Sequence, residues 1–337
     1  MTEPFISVIL PAFNRREFVR DAVASVLGQT LPRSEYELIV IKNFDEPEVD
    51  GLGGRPGVKL LWDDSPALGT MLLKAIEASA GQVVSFLDDD DQFEPDKLSR
   101  IARLFRDDPM LTFVHDSIVA VDRLGHPIPD WDRIRAPLKV SFSVKSAAER
   151  RAKTPEFFRH GSNVNLSAMS VRISLIRAVA DRFRRVHASP DIFVFFAALA
   201  NEGCLWIEKD SLTRYRFHSS WSHAQVEKGR GPFEAERLVR EVETAGLIRE
   251  MTRGTPAEIP ALGYVTEARF QYYLMVAEAP PPRWAEYVEL FRAAWARRQP
   301  YLADRALWAL AKRVAPQWTT RRYHHHSHAR QSQVIAP

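Results

Sequence analysis

Short apolar segments alternate with helix-forming segments through the first part of the chain. In residues 17–27, Phe18, Ala22 and Val26 recur at the spacing of one helix face, whereas residues 5–10 form a β-rich run that ends at Pro11. Apolar strands separated by helices form a mainly parallel sheet that helices cover on both faces. The predicted strands are 5–10, 38–41, 58–62 and 83–87, and the predicted helices are 17–27, 69–80 and 95–105.

The pattern changes after residue 111. Two short apolar runs there predict paired strands, with a polar turn at 122–125, and the basic stretch 127–155 predicts an irregular loop. The further predicted strands are 112–115, 118–121, 164–169, 205–208 and 212–217, with a helix at 191–201. Strand patterns stop at about residue 226, and prolines interrupt the helical patterns that follow. We therefore expect an α/β domain over residues 1–225 and a helical C-terminal region over residues 226–337.

Composition excludes several classes of protein. A formal net charge of +3 argues against nucleic acid as a partner for the whole chain. The single cysteine, Cys204, excludes an intramolecular disulfide and fits a reducing compartment. The first residues lack a secretory signal, and the apolar run 193–200 is far shorter than the roughly 20 residues that span a bilayer. We expect a cytoplasmic protein, either soluble or peripheral on the inner face of the cell membrane.

Four consecutive aspartates, Asp88 to Asp91, directly follow the predicted strand 83–87. Like charges this close repel one another unless solvent or a cation compensates them. Ligands of parallel α/β sheets bind at the carboxyl ends of strands, and magnesium or manganese prefers oxygen ligands. The position at a strand end favours a divalent cation site, and a solvated acidic loop is the alternative.

Five segments in order carry a family resemblance. Residues 7–15 read Ser-Val-Ile-Leu-Pro-Ala-Phe-Asn-Arg, and residues 86–91 read Phe-Leu-Asp-Asp-Asp-Asp. The other segments are Gly69 with Ala-Gly-Gln at 80–82, Val-His-Asp at 114–116 with the turn 122–125, and Tyr-Arg-Phe-His at 215–218 with Ser222. Over about residues 5–225, the chain resembles glycosyltransferase family 2, the inverting nucleotide-sugar transferases of the GT-A fold.

This resemblance implies a GT-A sheet, a nucleotide-diphosphate sugar as donor, and a divalent metal, Mn²⁺ or Mg²⁺. The metal neutralises charge on the leaving diphosphate, and Asp90 is the implied ligand, with Asp91 nearby. His218 either assists or binds the metal, or is structural. Arg214 and Arg216 are candidates for bidentate bonds to the diphosphate. The residues implied in donor binding are Pro11, Ala12, Phe13, Arg15, Asp88 and Asp89. Arg216 joins them because its guanidinium can form bidentate hydrogen bonds with the diphosphate.

An inverting transfer also needs a general base for the acceptor hydroxyl group. In the family this base is often an acidic residue at the start of a helix well after the metal motif. Asp191 is the one carboxylate in the matching segment 187–193. The alternative is that Asp191 only stabilises the helix start, where aspartate is favoured. Asn163 and Asn165, on the predicted strand before it, are candidates for binding sugar hydroxyls.

Two positions depart from the family pattern. Where the family has paired aspartates that read the nucleobase, this chain has Lys42 and Asn43. Asn43 can still donate and accept hydrogen bonds at a base edge, but uracil specificity is in question. Lys74 stands where the family often has an arginine, and it is either a phosphate contact or an exposed helical lysine.

The C-terminal segment 283–330 has ten basic residues against three acidic ones, with four interleaved tryptophans. A basic helical stretch that carries tryptophan is typical of contact with an anionic membrane surface, which would suit a lipid-linked acceptor. A packed helical subdomain with a solvated basic face is the alternative. The histidines at 324–326 and 328 resemble a metal-binding tract or an exposed tail.

Two further functions compete with a glycosyltransferase that acts on a saccharide or lipid-linked acceptor. A nucleotidyltransferase also uses metal-binding acids, but residues 11–16 lack the glycines of its phosphate loop. A non-catalytic subunit that binds nucleotide sugars is suggested by Lys42 and Asn43, whereas the intact acidic cluster opposes it.

Overall fold

The computed structural model describes residues 3–129, 137–218, 232–297, 301–320 and 322–323. Predicted features at Ser222, in the histidine-rich segment 324–328 and at residues 130–136 lie outside these ranges. The boundary expected at residue 225 lies outside them as well.

One mixed sheet forms the centre of the described part of the chain. Its strands are β1 (Ile6–Ala12), β2 (Tyr36–Lys42), β3 (Val58–Trp62), β4 (Val83–Phe86), β5 (Gln92–Phe93), β6 (Leu111–Val121), β7 (Phe142–Val144), β8 (Met169–Arg172) and β9 (Cys204–Arg216). Their order is β3-β2-β1-β4-β8-β6-β9-β5, and β7 pairs with β9. The first four strands pair in parallel, and β8 is antiparallel to both β4 and β6.

Helices lie between the strands and make up the C-terminal region. Their bounds are α1 (Val19–Leu27), α2 (Pro47–Asp50), α3 (Leu68–Glu77), α4 (Lys97–Asp107), α5 (Ala147–His160), α6 (Ile173–Ala178), α7 (Ala180–Phe183), α8 (Pro190–Ala200), α9 (Pro232–Thr252), α10 (Glu258–Met275), α11 (Trp284–Arg297) and α12 (Tyr301–Val314). These bounds confirm the α/β class and the alternation of strands and helices predicted for the first part of the chain.

Neighbouring residues of β1 face two different hydrophobic cores. Val8 and Leu10 pack in one core with Val23 of α1, whereas Ile9 packs in another with Met71 of α3. Successive side chains of a strand point to opposite faces. The sheet is therefore covered on both sides, as the apolar pattern of its strands predicted.

Two long strands replace the two pairs of short strands predicted from the sequence, so that prediction was wrong. β6 runs through 112–115 and 118–121, and β9 runs through both 205–208 and 212–217. The register of β6 against β9 shifts around Ser117. Asp116, which broke the apolar pattern of β6, is buried inside the strand because Lys97 binds it. A polar residue with an internal partner does not end a strand.

Helix α5 occupies part of the segment predicted to be an irregular loop. Ser146 and Glu149 form a capping box at its start, and Gly161 ends it with a left-handed φ of 63°. The Ser-x-x-Glu spacing was the overlooked signal. The strand predicted at 164–169 was also misplaced, because a 3₁₀ turn occupies Leu166–Ala168 and β8 begins at Met169.

The C-terminal region is helical, as predicted, and its first helix packs on the sheet domain. Leu247 and Ile248 of α9 lie in the same core as Phe193 of α8. Thr244 Oγ1 donates a hydrogen bond to the carbonyl oxygen of Ala188 at 2.9 Å. None of the helices in the described ranges combines the length and apolarity needed to cross a membrane.

Candidate functional site

The four aspartates form the loop between β4 and β5. This acidic loop lies at the carboxyl end of β4, beside the end of β1, with which β4 pairs. The main-chain N–H of Asp91 donates to the carbonyl oxygen of Asp88 at 3.2 Å, which makes the loop a tight turn. The carboxylates therefore lie at the edge where ligands of parallel sheets bind.

Asp91 is 1% exposed, and both of its carboxylate oxygens accept hydrogen bonds. Oδ1 accepts from the main-chain N–H of Arg216 at 3.0 Å. Oδ2 accepts from Ser167 Oγ at 2.7 Å and from Asn165 Nδ2 at 3.0 Å. Burial and then the charge of Asp90 raise the pKa of Asp91 to about 7. Asp91 thus joins the acidic loop to β9 and to the turn before β8.

A buried lysine lies beneath the acidic loop. Lys97 Nζ donates to Asp116 Oδ2 and Thr213 Oγ1, both at 2.7 Å, and to the carbonyl oxygen of Ser167 at 2.6 Å. Burial lowers the pKa of Lys97, and the charge of Asp116 opposes this shift. These three bonds use all three ammonium protons. Lys97 therefore positions Ser167, whose hydroxyl binds Asp91.

Arg15 and His218 bind the two middle aspartates. The Arg15 guanidinium binds Asp89, and its Nη1 lies 2.7 Å from Asp90 Oδ2. His218 Nε2 lies 2.9 Å from the same Oδ2 atom. Burial raises the pKa of Asp89 to about 6. Burial also acts on Asp90, but the hydrogen bond with His218 and the charge of Arg15 outweigh it and lower the pKa of Asp90.

The carboxylate of Asp88 lies within the field of four other carboxylates, those of Asp89, Asp90, Asp91 and Asp191. Its main-chain N–H donates to Ser167 Oγ at 2.9 Å. Burial, followed by the charges of Asp91 and Asp90, raises the pKa of Asp88 well above its ordinary value. A carboxylate surrounded by other carboxylates is stabilised when a cation binds it.

The donor set fits a cation that is bound together with phosphate. Within the described ranges, no group of three or more His, Cys, Asp or Glu side chains is arranged to hold a metal ion. Magnesium usually takes one or two carboxylates and completes its shell with water and substrate phosphates. Asp88 and Asp90 are suited to supply those carboxylates.

Asp191 lies in the first turn of α8 and is joined to the acidic loop through Asn165. The main-chain N–H of Asn165 donates to Asp191 Oδ2 at 3.0 Å, while its side-chain amide binds Asp91. Asn165 lies on a turn with φ 71° and not on the predicted strand. Burial raises the pKa of Asp191, and bonds from main-chain N–H groups oppose this shift.

The helical C-terminal region contributes a side chain near Asp191. The Tyr264 ring of α10 lies 5.7 Å from the ring of Phe196, between centroids. Burial, then the charges of Glu241 and Asp191, raise the pKa of Tyr264. Helix α10 therefore packs against α8, the helix whose first turn contains Asp191.

Arg216, predicted to contact the diphosphate, is 3% exposed and binds several groups of the protein. Its Nε donates to the carbonyl oxygen of Asp90 at 3.0 Å, and its Nη1 donates to that of Arg123 at 2.7 Å. Its Nη2 lies 2.9 Å from Asp21 Oδ2. Arg216 thus holds the acidic loop in place, and a contact with diphosphate stays a prediction.

The other two candidate phosphate contacts also have partners in the protein. Lys74 Nζ donates to the carbonyl oxygen of Trp62 at 2.7 Å and to Asp63 Oδ2 at 3.0 Å. Arg214 Nε donates to Glu94 Oε1 at 2.7 Å.

The segments after β1 and β2 are joined by a pair of amides. Asn43 Oδ1 accepts from the main-chain N–H of Asn14, and Asn43 Nδ2 donates to Asn14 Oδ1, both at 2.8 Å. Phe13 is 40% exposed, whereas Pro11 and Ala12 are buried in β1. Of these three predicted pocket residues, Phe13 is therefore the one with an exposed side chain.

Sequence reasoning missed Lys97 and Tyr264. Lys97 shares the buried face of α4 with Leu98 and Ile101. A lysine at helical spacing from apolar residues was the available signal. Tyr264 carried no signal, because its place near Asp191 depends on how the C-terminal helices pack.

Residues 7–164 match the family model described as glycosyl transferase family 2. TuaG of Bacillus subtilis, which its name assigns provisionally to teichuronic acid biosynthesis, is 30% identical over 151 residues, covering 42% of this chain and 56% of TuaG. Glycosyltransferase AglE of Haloferax volcanii is 30% identical over 95 residues, covering 26% of this chain and 31% of AglE. The chain thus spans between about a third and just over half of these relatives.

The solved structures that resemble this chain include S. aureus TarS 1–349 in complex with UDP-GlcNAc. The TM-score is 0.60 at 14% sequence identity, with 96% of this chain and 92% of that chain covered. The complex of the same TarS segment with UDP gives a TM-score of 0.50 at 15% identity, with 92% and 91% covered. At this identity the likeness shows the fold, which is GT-A.

Proposed function

Because residues 7–164 of this chain belong to glycosyltransferase family 2, we propose that the protein transfers a sugar from a nucleotide-diphosphate sugar to an acceptor hydroxyl group with inversion. The observation that carries this proposal is the link through Asn165, which binds Asp91 of the acidic loop and Asp191 of α8. An inverting displacement needs charge stabilisation at the leaving group and a base at the attacking hydroxyl. In this proposal the acidic loop serves the leaving group, and Asp191 serves the attacking hydroxyl group.

On the donor side, Asp88 and Asp90 would hold a divalent cation, Mn²⁺ or Mg²⁺, together with oxygens of the diphosphate. When bound, this cation neutralises charge on the leaving nucleoside diphosphate. His218 and Arg15 keep Asp90 ionised through their contacts with its carboxylate. Asp91, predicted as a ligand, has a positioning role in this proposal, because its two oxygens already accept three hydrogen bonds.

On the acceptor side, Asp191 takes the proton of the attacking hydroxyl group. The pKa of Asp191 is raised by burial, which makes its carboxylate a stronger base than that of an exposed aspartate. The N–H of Asn165 holds one carboxylate oxygen at 3.0 Å and so sets the orientation of the base. Tyr264 of α10 packs on the same helix, against Phe196.

The nucleoside would lie between the segments after β1 and β2. Phe13 offers an exposed ring for stacking on the base, and Asn43, held by Asn14, offers an amide near the base edge. Lys42 Nζ lies 2.7 Å from Asp50 Oδ1 and donates to the carbonyl oxygen of Phe44. Uridine diphosphate sugars are the first donors to test, because the similar TarS structures contain UDP-GlcNAc and UDP.

The acceptor that we propose is a saccharide of the cell surface, free or linked to lipid. Support for this class comes from TuaG, whose name refers to teichuronic acid biosynthesis. A screen of acceptors with the active donor would identify the transferred sugar and the linkage.

The experiment that tests the proposal measures products from a panel of nucleotide sugars with Mn²⁺. We expect release of nucleoside diphosphate with at least one donor, and much slower release by the Asp191→Asn variant. Donor binding without release would favour the alternative suggested by Lys42 and Asn43, a non-catalytic subunit. Release of pyrophosphate from a nucleoside triphosphate and a sugar phosphate would instead identify a nucleotidyltransferase.

A further inference from the structure

Helix α11 exposes a continuous apolar face. Trp284, Val288, Phe291 and Trp295 are 66%, 52%, 43% and 88% exposed. Their spacing of four, three and four residues places them on one side of the helix. Side chains of the other side, such as Leu290, lie in the core of the C-terminal helices. The exposed apolar face of α11 is therefore distinct from the side of the helix that packs in this core.

The next helical segment adds exposed apolar residues at a similar spacing. Leu307, Val314 and Trp318 are 59%, 87% and 55% exposed. Arg313 joins this segment to α11, because its guanidinium lies 4.6 Å from the centre of the Trp284 ring. We call these seven residues, four on α11 and three on the segment 307–318, the exposed apolar surface.

Charges around the exposed apolar surface are sorted by sign. Within the described residues after 282, every acidic side chain is buried or half-buried: Glu286, Glu289 and Asp304. Glu286 faces Arg269, and Glu289 accepts a hydrogen bond from Thr266. The exposed charged side chains are all basic, namely Arg283, Arg292, Arg313 and Arg322. The surface therefore combines exposed tryptophan with positive charge alone.

We propose that the exposed apolar surface binds an anionic lipid bilayer, with α11 lying in the plane of the interface. Indole rings favour the headgroup level of a bilayer, and arginine side chains pair with lipid phosphates. A second copy of the chain is a poorer partner, because the four exposed arginines of one copy would repel the same four arginines of the other. The proposal concerns this surface and does not depend on the proposed catalytic activity.

Sedimentation of the full chain with lipid vesicles tests this proposal. We expect the protein to sediment with phosphatidylcholine vesicles that contain phosphatidylglycerol, and to be released by high salt, since salt screens surface charge. Vesicles of phosphatidylcholine alone should bind it far more weakly. Absence of binding to the anionic vesicles at low ionic strength would overturn the proposal.

Two double variants separate the apolar and electrostatic contributions. Arg283→Gln with Arg292→Gln should weaken binding to anionic vesicles about 25-fold, since each basic residue near such a surface contributes about fivefold. Trp284→Ser with Trp295→Ser should weaken it roughly tenfold or more. Both variants should keep the circular dichroism of the wild type, and the tryptophan variant should lose a little thermal stability because Trp284 contacts Arg313 and Tyr287.

Matched controls come from exposed residues elsewhere on the molecule. Arg55→Gln with Arg177→Gln, and Met110→Ser with Val140→Ser, remove the same kinds of side chain from other exposed positions. We expect both controls to bind vesicles as the wild type does. Equal loss of binding in test and control variants would contradict a specific surface. Self-association of the wild type that the tryptophan variant abolishes, without vesicle binding, would show an interface between copies instead.

Discussion

Asn165 donates its main-chain N–H to the Oδ2 atom of Asp191 at 3.0 Å. The side-chain amide of the same residue donates to Asp91, which is 74 positions earlier in the chain. The φ of 71° at Asn165 is in the left-handed region that asparagine tolerates better than most residues. One residue therefore links Asp91 of the acidic loop with Asp191 of α8.

The variant Asn165→Gly tests this link. Glycine adopts the positive φ, so the main-chain bond to Asp191 should survive, while the side-chain bonds to Asp91 and to the main-chain N–H of Ala168 are lost. A hydrogen bond to a charged group contributes about 1.5–3 kcal/mol, so we expect donor affinity to fall roughly tenfold or more. Calorimetry with donor and Mn²⁺ measures this affinity. Unchanged affinity in Asn165→Gly would show that Asp91 does not need this bond.

Asp191→Asn should separate chemistry from donor binding. The variant keeps the shape of the side chain and removes the charge that accepts the proton, so turnover should fall by about 10²–10⁴-fold. Donor affinity should stay near that of the wild type, because the base acts on the acceptor. Asp181→Asn, at an exposed carboxylate, is the control. Near-normal turnover in Asp191→Asn would remove Asp191 from the mechanism.

The pH dependence of kcat should report the environment of Asp191. Burial disfavours the charged form and raises the pKa of Asp191 above 3.8, so the folded protein retains this proton to higher pH than an exposed aspartate does. The protonated side chain cannot accept a proton, and kcat should therefore fall as pH falls through the raised pKa. A profile that remains flat down to about pH 3.8 would contradict this assignment.

Lys97→Met should destabilise the fold. The substitution leaves Asp116 buried without its cation, which typically costs about 3–5 kcal/mol of unfolding free energy. Adding Asp116→Leu should recover part of the loss, because the unpaired charge is then removed. Urea unfolding gives these values. Lys145→Met, at the exposed pair with Asp108, should change stability by less than about 1 kcal/mol. If Lys97→Met lowered the free energy of unfolding by as little as Lys145→Met does, Asp116 would relax or take up a proton at little cost.

The sequence pattern correctly predicted the strands whose side chains all lie in the same apolar environment. The strands β1, β2 and β4 are buried on both faces, so their sequences are mostly apolar and easy to recognise. β6 could not be recognised as one strand, because Asp116 is satisfied by Lys97 from another element. Periodicity within a segment carries no information about such a distant partner.

The candidate site also has a part that the sequence could predict and a part that it could not. The acidic loop could be located because four adjacent carboxylates after a buried strand are conspicuous in the sequence. The contacts that organise it join distant positions: Lys97 binds Thr213, 116 positions away, and Arg216 binds Asp90, 126 positions away. Only the folded sheet brings these residues together, so sequence reasoning could suggest Arg216 as a phosphate ligand but not its role in holding the loop.

Metal-dependent donor binding tests the central claim most directly. Thermal unfolding is followed with a panel of nucleotide sugars, with and without Mn²⁺, for the wild type and Asp90→Asn. Ligands that bind the folded state raise the apparent stability in proportion to the logarithm of their concentration over Kd. We expect at least one nucleotide sugar to raise the Tm of the wild type only with Mn²⁺, and to leave the Tm of Asp90→Asn unchanged. An equal Mn²⁺-dependent rise in both proteins, or no rise with any nucleotide sugar, would contradict the proposed site.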